Sequence, residues 1–389
     1  MIRDAAYYDL VGRAIQGLAP DFDTFVNSIF ADKYNSTTLP PNFAWDANIQ
    51  MDYTYDQLLM ETGVYAMATY VDTNSDAPYR SPKGAQLASG KIPTLKHGFK
   101  LDEKIMREQM ILAQRGIVDG QMNSTLQDLL FMSVDKLIGG NYNSIAYQRH
   151  QAVSTGKLAL LHANNPQGIT NVDFDFKIPA GNITTLVGTA RWWTDTAYTT
   201  EGSTANPLAD LVALVKAAED AYAPFAALEV SKRGFTRAMG HSKMLISLGY
   251  LYNPLAADDT AAANVARQLS TEQMRQILSN KLGVEIRIID KLVAAEKYDK
   301  ATKKIVAPTI SAFNEDAWVL VPDGELGTIK AVAPIIIPDP AARLATFDGG
   351  RTLITQTFNA KQKIQYIESE MSVLCVPNRV TQMFYLNIK

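Results

Sequence analysis

A long stretch of helical periodicity, residues 101–156, constrains this chain more than any other part of its sequence. Apolar residues recur there at three- and four-residue steps, which is the spacing of a helix with one apolar face. The pattern predicts a long helix from Leu101 that stops at the Gly139-Gly140 pair, followed by a second helical piece over 144–156. A helix of that length is expected to act as a spine between flanking domains.

Length and composition narrow the class of protein. A chain of 389 residues exceeds what one hydrophobic core usually holds, so two or more domains are expected. No apolar run reaches the roughly 20 residues that span a bilayer, and the first residues lack the apolar core of a signal peptide. We therefore expect a soluble product of the cytoplasm with no membrane partner.

The cysteine count and the net charge argue against further kinds of binding site and covalent framework. The single cysteine, Cys375, rules out an intrachain disulfide framework and a cysteine-based metal site. The net charge is −3, which argues against tight sequence-independent binding of nucleic acid, because such binding needs a clustered basic face.

Two segments carry apolar surface that they cannot bury alone. In residues 1–61, Phe25 and Phe30 belong to a narrow apolar stripe on a short helix, which must lie on another part of the chain or on a neighbouring molecule. Residues 62–100 indicate a long two-stranded excursion, with a strand near Val64–Val71. An isolated hairpin is marginal in water, so its expected surface is another subunit.

The remainder mixes strands and short helices, which predicts an α+β protein. Alternating apolar and polar residues over 172–178 predict a strand, and Pro207 is placed to open a helix. A second helix is predicted over Thr271–Lys281, with Gly283 just past its end. From Arg351 the tail has strand character, and we expect it to pair with the strand at 172–178.

Four segments, in their order and spacing, resemble the major capsid protein E family of tailed phages, typified by phage lambda. They are FDTFVNSIFADKYNSTTLPP at 22–41, the hairpin and long helix from 65 onward, the run VDFDFKIPAGNITTLVGTARWW at 172–193 with its NPLAD at 206–210, and the closing strands WVLVPDGELGT and SEMSVLCVPNRVTQMFYLNI. The resemblance covers most of the chain. It implies the Hong Kong 97-type capsid fold.

The resemblance also implies a division of the chain. It predicts an N-terminal arm at 1–61, an extended loop (E-loop) at 62–100, a peripheral domain with the spine helix at 101–207 and 346–389, and an axial domain at 208–345.

A function follows from the same resemblance. The chain is expected to be a major capsid protein that self-assembles into hexamers and pentamers of an icosahedral virion shell, in the cytoplasm of a bacterial host. Its further expected partners are a portal, scaffold or decoration proteins, and packaged double-stranded DNA that it contacts weakly and non-specifically. Neither enzymatic activity nor a cofactor is expected.

No catalytic, cofactor-binding or metal-binding residue is predicted. The stretch Gly84–Lys91 departs from a phosphate loop, since Ile92 stands where Ser or Thr would hold magnesium. Ser242 is not at a nucleophile elbow, because Met244 replaces the second glycine. We interpret the pair Trp192 and Trp193 as packing residues rather than a ligand surface.

The residues predicted to make inter-subunit contacts come from the hairpin and the arm. They are Arg80, Lys83, Lys91, Lys96, Phe25 and Phe30.

Two alternative functions stay open at this point. One is an encapsulin-like nanocompartment shell, which shares the capsid fold and encloses cargo enzymes. The other, from a different class, is a metal-dependent α+β hydrolase that would use Asp173, Asp175 and His241. For the two aspartates, a solvated strand face is the competing interpretation.

Overall fold

A computed structural model of the chain mixes helices with strands, so the predicted α+β class is confirmed. The structure describes residues 21–35, 38–60, 85–101, 103–104, 107, 121–161, 164–166, 168, 172–299, 304–338, 342–359 and 364–389.

The helices follow in chain order. They are α1 (Phe22–Phe30), α2 (Gln121–Thr155), α3 (Pro207–Asp220), α4 (Lys232–Gly240), α5 (Ser242–Tyr252), α6 (Asp259–Arg267) and α7 (Thr271–Leu282).

The strands are numbered in the same way. They are β1 (Phe43–Trp45), β2 (Thr54–Met60), β3 (Ala85–Lys91), β4 (Thr94–Leu101), β5 (Lys157–Leu160), β6 (Val172–Asp175), β7 (Ile183–Thr185), β8 (Ala227–Ser231), β9 (Glu285–Ile289), β10 (Leu292–Ala294), β11 (Lys297–Asp299), β12 (Lys304–Val306), β13 (Thr309–Ser311), β14 (Ala317–Val321), β15 (Gly327–Val332), β16 (Ala342–Phe347), β17 (Thr352–Asn359), β18 (Ile364–Pro377) and β19 (Phe384–Asn387).

The chain divides into two compact units, each made of discontinuous segments. The first unit comprises residues 1–55, 90–146 and 328–375, and the second comprises 56–89, 147–327 and 376–389. The predicted division into arm, E-loop, peripheral domain and axial domain remains a prediction.

The first unit contains a six-stranded sheet in the order β1-β15-β18-β17-β16, with β4 also paired to β18. One face of this sheet packs on α1 and α2, and the shared core includes Phe25, Val134, Leu137, Ile354 and Ile367. Every second residue of β17 and β18 points to this face, as the pleat of a strand requires.

Helix α2 does not stop at Gly139-Gly140 as predicted but runs on to Thr155, with a total length of 35 residues. The glycine pair leaves space for two neighbouring side chains instead of ending the helix. A Cβ on residue 139 would lie 2.9 Å from the hydroxyl of Tyr34, and one on residue 140 would lie 2.4 Å from His97 Cε1. The helix ends where Gly156 takes a φ of +67°, a left-handed conformation that glycine adopts at little cost.

The second unit is built on a five-stranded sheet in the order β7-β19-β14-β8-β9. Strand β14 is buried along its whole length and lies between the antiparallel strands β8 and β19. Its Trp318 meets the ring of Trp192 edge to face, with centroids 5.7 Å apart. Trp192 and Trp193 are both buried in this core, so the predicted packing role of the two tryptophans is confirmed.

The tail does not pair with the strand at 172–178, so that prediction is wrong. Strand β6 pairs antiparallel with β5, a partner from the nearby chain. The tail pairs elsewhere, with β18 between β17 and β4 and with β19 between β14 and β7.

Local signals placed two helices of the second unit correctly. Helix α3 opens at Pro207, and the side chain of Asn206 caps it by accepting from the Ala209 N–H. Helix α7 begins after a capping box at Ser270 and ends at Gly283, whose φ is +69°, as a left-handed helix end requires. In the described part of the chain, no helix has the length and apolar character needed to cross a membrane.

Candidate functional site

Four two-stranded ribbons lie outside the two larger sheets in the described part of the chain, and the one formed by β2 and β3 contains the predicted contact residue Lys91. At its base the N–H of Ile92 donates to the carbonyl oxygen of Tyr53 over 2.6 Å. After Pro93 the chain enters β4, which pairs with β18 over eight residues. The predicted return segment of the excursion is therefore a strand of the first unit's sheet.

A ribbon of this kind has little to hold it. Two strands without a third neighbour are marginal in water, and their outer edges present unpaired backbone groups to any available partner. The β2–β3 ribbon shares this property with the pairs β5–β6, β10–β13 and β11–β12, and it is the one that contains a predicted contact residue.

Two of the predicted contact residues lie where this ribbon joins the sheet. Lys91 is exposed at the end of β3. Lys96 is on β4, where its Nζ lies 2.8 Å from Glu370 Oε2 while its side chain stays 66% exposed. The hydrogen bond to Glu370 is the main cause of a raised pKa for Lys96. Both residues are accessible, and their contact with another subunit stays a prediction.

The remaining predictions for the hairpin concern residues that the structure does not describe. These are Arg80, Lys83 and the strand expected at Val64–Val71.

Phe25 and Phe30 lie in a different environment from the one expected of contact residues. Both are fully buried, and their partners belong to the core of the first unit. The apolar stripe of α1 was predicted to lie either on another part of the chain or on a neighbouring molecule. The structure shows it on another part of the chain. In the single chain these two side chains have no exposed surface, and their contact with another subunit stays a prediction.

Helix α1 is also fixed by polar contacts to an edge of the sheet. Asp23 Oδ1 accepts from the backbone N–H of Thr346 over 2.6 Å, and Asn27 Nδ2 donates to the Thr346 carbonyl over 2.9 Å. Thr346 is on β16, an edge strand. The two side chains therefore occupy backbone groups that would otherwise be open to another strand.

Sequence reasoning missed a buried ion pair in the second unit. Arg149, on the last part of α2, donates through both terminal nitrogens to Glu229 on β8, each over 2.7 Å. Both side chains are buried. A signal for this pair was present, since Glu229 lies between the apolar residues Leu228 and Val230 and a buried carboxylate needs a cationic partner.

The neighbour of this pair is a neutral histidine. His150 Nδ1 lies 3.0 Å from Arg149 Nη1, and its ring meets Phe313 edge to face. Burial and then the positive charge of Arg149 lower the pKa of His150 to about 3. The imidazole is thus uncharged near neutral pH and serves as an acceptor.

The residues of the hydrolase alternative do not form one constellation. Asp173 and Asp175 on β6 face Lys157 Nζ at 3.8 and 3.7 Å. Burial raises the pKa of Asp175, but hydrogen bonding and nearby lysines outweigh it, so its pKa is lowered overall. His241 instead packs on the ring of Trp193. Within the described residues, no group of three metal-binding side chains is present.

Ser242 is held by a carboxylate rather than by a catalytic base. Its Oγ donates to Glu201 Oε2 over 2.5 Å, while His241 Nε2 is 3.7 Å from the same oxygen. Burial, more than any other cause, lowers the pKa of His241. The serine–glutamate contact lies at the first residue of helix α5 and ties this helix to the loop that precedes α3.

No family model matches this chain. No curated protein matches it either.

Several solved structures are similar to this chain in the path of the backbone. A phage-related protein from Bordetella bronchiseptica RB50 is 15% identical, with 95% of this chain and 97% of that chain covered and a TM-score of 0.47. The capsid of cyanophage A-1(L) is 9% identical, with 90% of both chains covered and a TM-score of 0.45. The capsid of Myoviridae phage XM1 is 9% identical, with 89% of both chains covered and a TM-score of 0.41. Two of these proteins are capsids.

Proposed function

We propose that this chain is the major capsid protein of a tailed double-stranded DNA phage, with the Hong Kong 97-type fold. It assembles into hexamers and pentamers of an icosahedral shell that encloses the genome. The single observation that carries the proposal is the β2–β3 ribbon, which has no third strand among the described residues.

The ribbon supports assembly through its energetics. An unsupported pair of strands gains stability when a neighbouring surface covers it. A second copy of the chain supplies such a surface in every position of a closed shell. Because the ribbon is one patch and its receiving surface is another, the contact is heterologous, and closed symmetry prevents it from running on into a fibre.

The contacts of the polar residues favour this structural role over catalysis. Asp173 and Asp175 neutralise a lysine, and His241 is buried against Trp193. The two aspartates thus have a local ionic partner, and among the described residues the three side chains do not form a metal-binding group.

The proposal assigns contacts and partners. Lys91, Lys96, Arg80 and Lys83 make inter-subunit contacts. A portal and scaffold or decoration proteins join the shell. DNA is contacted weakly and non-specifically, consistent with the net charge of −3. The protein is located in the virion, after assembly in the cytoplasm of the bacterial host.

Negative-stain electron microscopy of the purified protein after size exclusion tests the proposal. Closed shells, tubes or hexameric rings are the expected result. A compact dimer that forms nothing larger at any concentration would contradict it. Particles that contain DNA when made with the phage packaging machinery support a virus, whereas particles that hold a cargo enzyme would indicate the nanocompartment.

A matched pair of variants separates the ribbon contact from general charge effects. Lys91→Glu reverses a charge at the ribbon base, and Lys216→Glu makes the same change on an exposed face of α3. We expect the first variant to lower the yield of closed particles and the second to leave it unchanged. Equal yields would remove Lys91 from the contact.

A further inference from the structure

The side chain of His241 lies at the joint between helices α4 and α5 of the second unit. His241 is the residue between the two helices, and its side chain is fully buried. Neither ring nitrogen, Nδ1 or Nε2, has a hydrogen-bond partner among the residues that the structure describes. The ring instead meets Trp193 edge to face, with centroids 5.4 Å apart. Such an imidazole is costly to bury, since both polar atoms have given up their contacts with water.

A carboxylate lies just beyond hydrogen-bond distance of this ring. Glu201 Oε2 is 3.7 Å from His241 Nε2. The same carboxylate is engaged by Ser242, whose backbone N–H donates to Oε1 over 2.8 Å and whose hydroxyl donates to Oε2. Ser242 is the first residue of α5, so Glu201 satisfies a backbone N–H that the helix itself leaves without a partner. One carboxylate therefore caps α5 and lies next to the buried imidazole.

Other charged groups reach His241 from the helices around it. Burial lowers the pKa of His241, Glu201 and Asp210 of α3 oppose burial, and Lys243 of α5 adds to it. On α4, Arg237 is paired over 2.7 Å with a carboxylate of the loop that precedes β14. The effect of burial outweighs that of the two carboxylates, so the ring is neutral near neutral pH.

The direction of the response to acid follows from this balance. An exposed histidine has a pKa of about 6.5, whereas buried His241 binds its proton less tightly. Stability that depends on the neutral ring is fully present above pH 6.5 and is lost as the pH falls below that value. Acid therefore favours an arrangement in which the protonated ring has an acceptor.

We propose that His241 and Glu201 form an acid-responsive switch at the start of α5. In acid, protonated His241 draws the Glu201 carboxylate away from Ser242 and pairs with it, so the first turn of α5 loses its cap. The movement needed is small, because closing the present 3.7 Å to the length of a charge-assisted hydrogen bond takes about 1 Å. At neutral pH the ring loses its proton and the carboxylate returns to the helix.

Hydrogen–deuterium exchange of the full chain, read by mass spectrometry at pH 7 and pH 5, tests the switch. After correction for the intrinsic pH dependence of exchange, the segment 242–246 is expected to exchange faster at pH 5. The acceleration is up to about 30-fold, because pH 5 lies roughly 1.5 units below the pKa of an exposed histidine. Helix α7 is the internal control, since its cap is formed by Ser270 and Gln273, which do not titrate.

Two matched histidine variants assign the response to this residue. His241→Gln cannot take up the proton, so the exchange of α5 relative to α7 should be the same at pH 7 and pH 5. His150→Gln makes the same change at another buried histidine of the unit. It should keep the wild-type response, because burial and the charge of Arg149 hold the pKa of His150 at about 3 and leave this ring uncharged at both pH values.

Glu201→Gln tests the partner, and it does so even if His241→Gln does not fold. The amide keeps one oxygen for Ser242 but offers no negative charge to the protonated ring, so the acceleration at pH 5 should be several-fold smaller than in wild type. Equal exchange of wild-type α5 at the two pH values overturns the proposal, as does a response that survives in His241→Gln. A full response in Glu201→Gln also overturns it, because acid would then loosen α5 without the carboxylate.

Discussion

Gly249 of α5 lies against the backbone of Ala262 in α6 so closely that a Cβ on residue 249 would be 2.0 Å from the Ala262 carbonyl oxygen. Real Cβ atoms do not approach to that distance, and a backbone carbonyl cannot rotate away as a side chain can. The two helices therefore depend on the absence of a side chain at this one position.

Gly249→Ala should lower the free energy of unfolding by about 2 kcal/mol, since the cost of displacing packed backbone exceeds the gain of roughly 1 kcal/mol from replacing glycine inside a helix. Gly240→Ala is the matched control, because a Cβ there meets nothing within 4 Å. Urea denaturation followed by far-UV circular dichroism measures both. A stability of Gly249→Ala equal to that of the control would show that the helices separate freely.

The buried pair of Arg149 and Glu229 gives a second prediction. Glu229→Gln keeps the shape of the side chain but leaves the guanidinium without a counter-charge in the interior, which should cost about 3–5 kcal/mol. Glu285→Gln, at an ion pair with Arg287 that is partly exposed, should cost less than about 1 kcal/mol. The same denaturation experiment compares the two. Similar losses would mean that water reaches Arg149.

A third prediction concerns the pH dependence of the first unit. Burial raises the pKa of Asp348 to about 6 from an ordinary value of 3.8, so the folded state holds this proton more tightly than the unfolded state. The group therefore favours folding at low pH, and that contribution is lost as the pH rises from about 4 to 6. The total loss is about 3 kcal/mol, from roughly two pKa units at 1.4 kcal/mol each.

Asp348→Asn should remove this loss. Asparagine still accepts the hydrogen bond that the Tyr142 hydroxyl donates over 2.8 Å, and it tolerates the φ of +55° at this position. The free energy of unfolding of the variant minus that of wild type should therefore be larger at pH 7 than at pH 4. Thermal unfolding across this range provides the measurement, and parallel curves for the two proteins would refute a raised pKa.

The elements that the sequence predicted well are those with local causes. The helix at Thr271 and its end at Gly283 follow from a capping box and a left-handed glycine, both contained within a few residues. Strand identity in the tail was equally readable, because alternation and β-branched residues are properties of the segment itself.

The failures concern relationships between distant segments. Nothing within 172–178 shows that β6 pairs with β5 rather than with the tail. The role of Gly139 and Gly140 depends on Tyr34 and His97, which lie far away in the sequence, so a local rule read them as a helix stop. The partners of a segment are determined by packing, which a pattern in one segment does not contain.

The predicted contact site shows the same division. Exposure of Lys91 and Lys96 follows from their position in a polar strand, and the structure agrees. The apolar stripe of Phe25 and Phe30 was also correctly recognised. Its partner surface, however, lies in the chain's own strands and could not be distinguished from another subunit by periodicity alone.

The burial of Phe30 leads to the last prediction. Phe30→Ala should lower the free energy of unfolding of the isolated subunit by about 3–5 kcal/mol, because the truncation leaves a cavity in the first unit's core. Met132→Ala, on α2 and 53% exposed, should change it by less than about 0.5 kcal/mol. Measured at a concentration where the protein is monomeric, the loss must be independent of protein concentration. A loss that appears only in assembled particles would instead place Phe30 between subunits, as the sequence alone suggested.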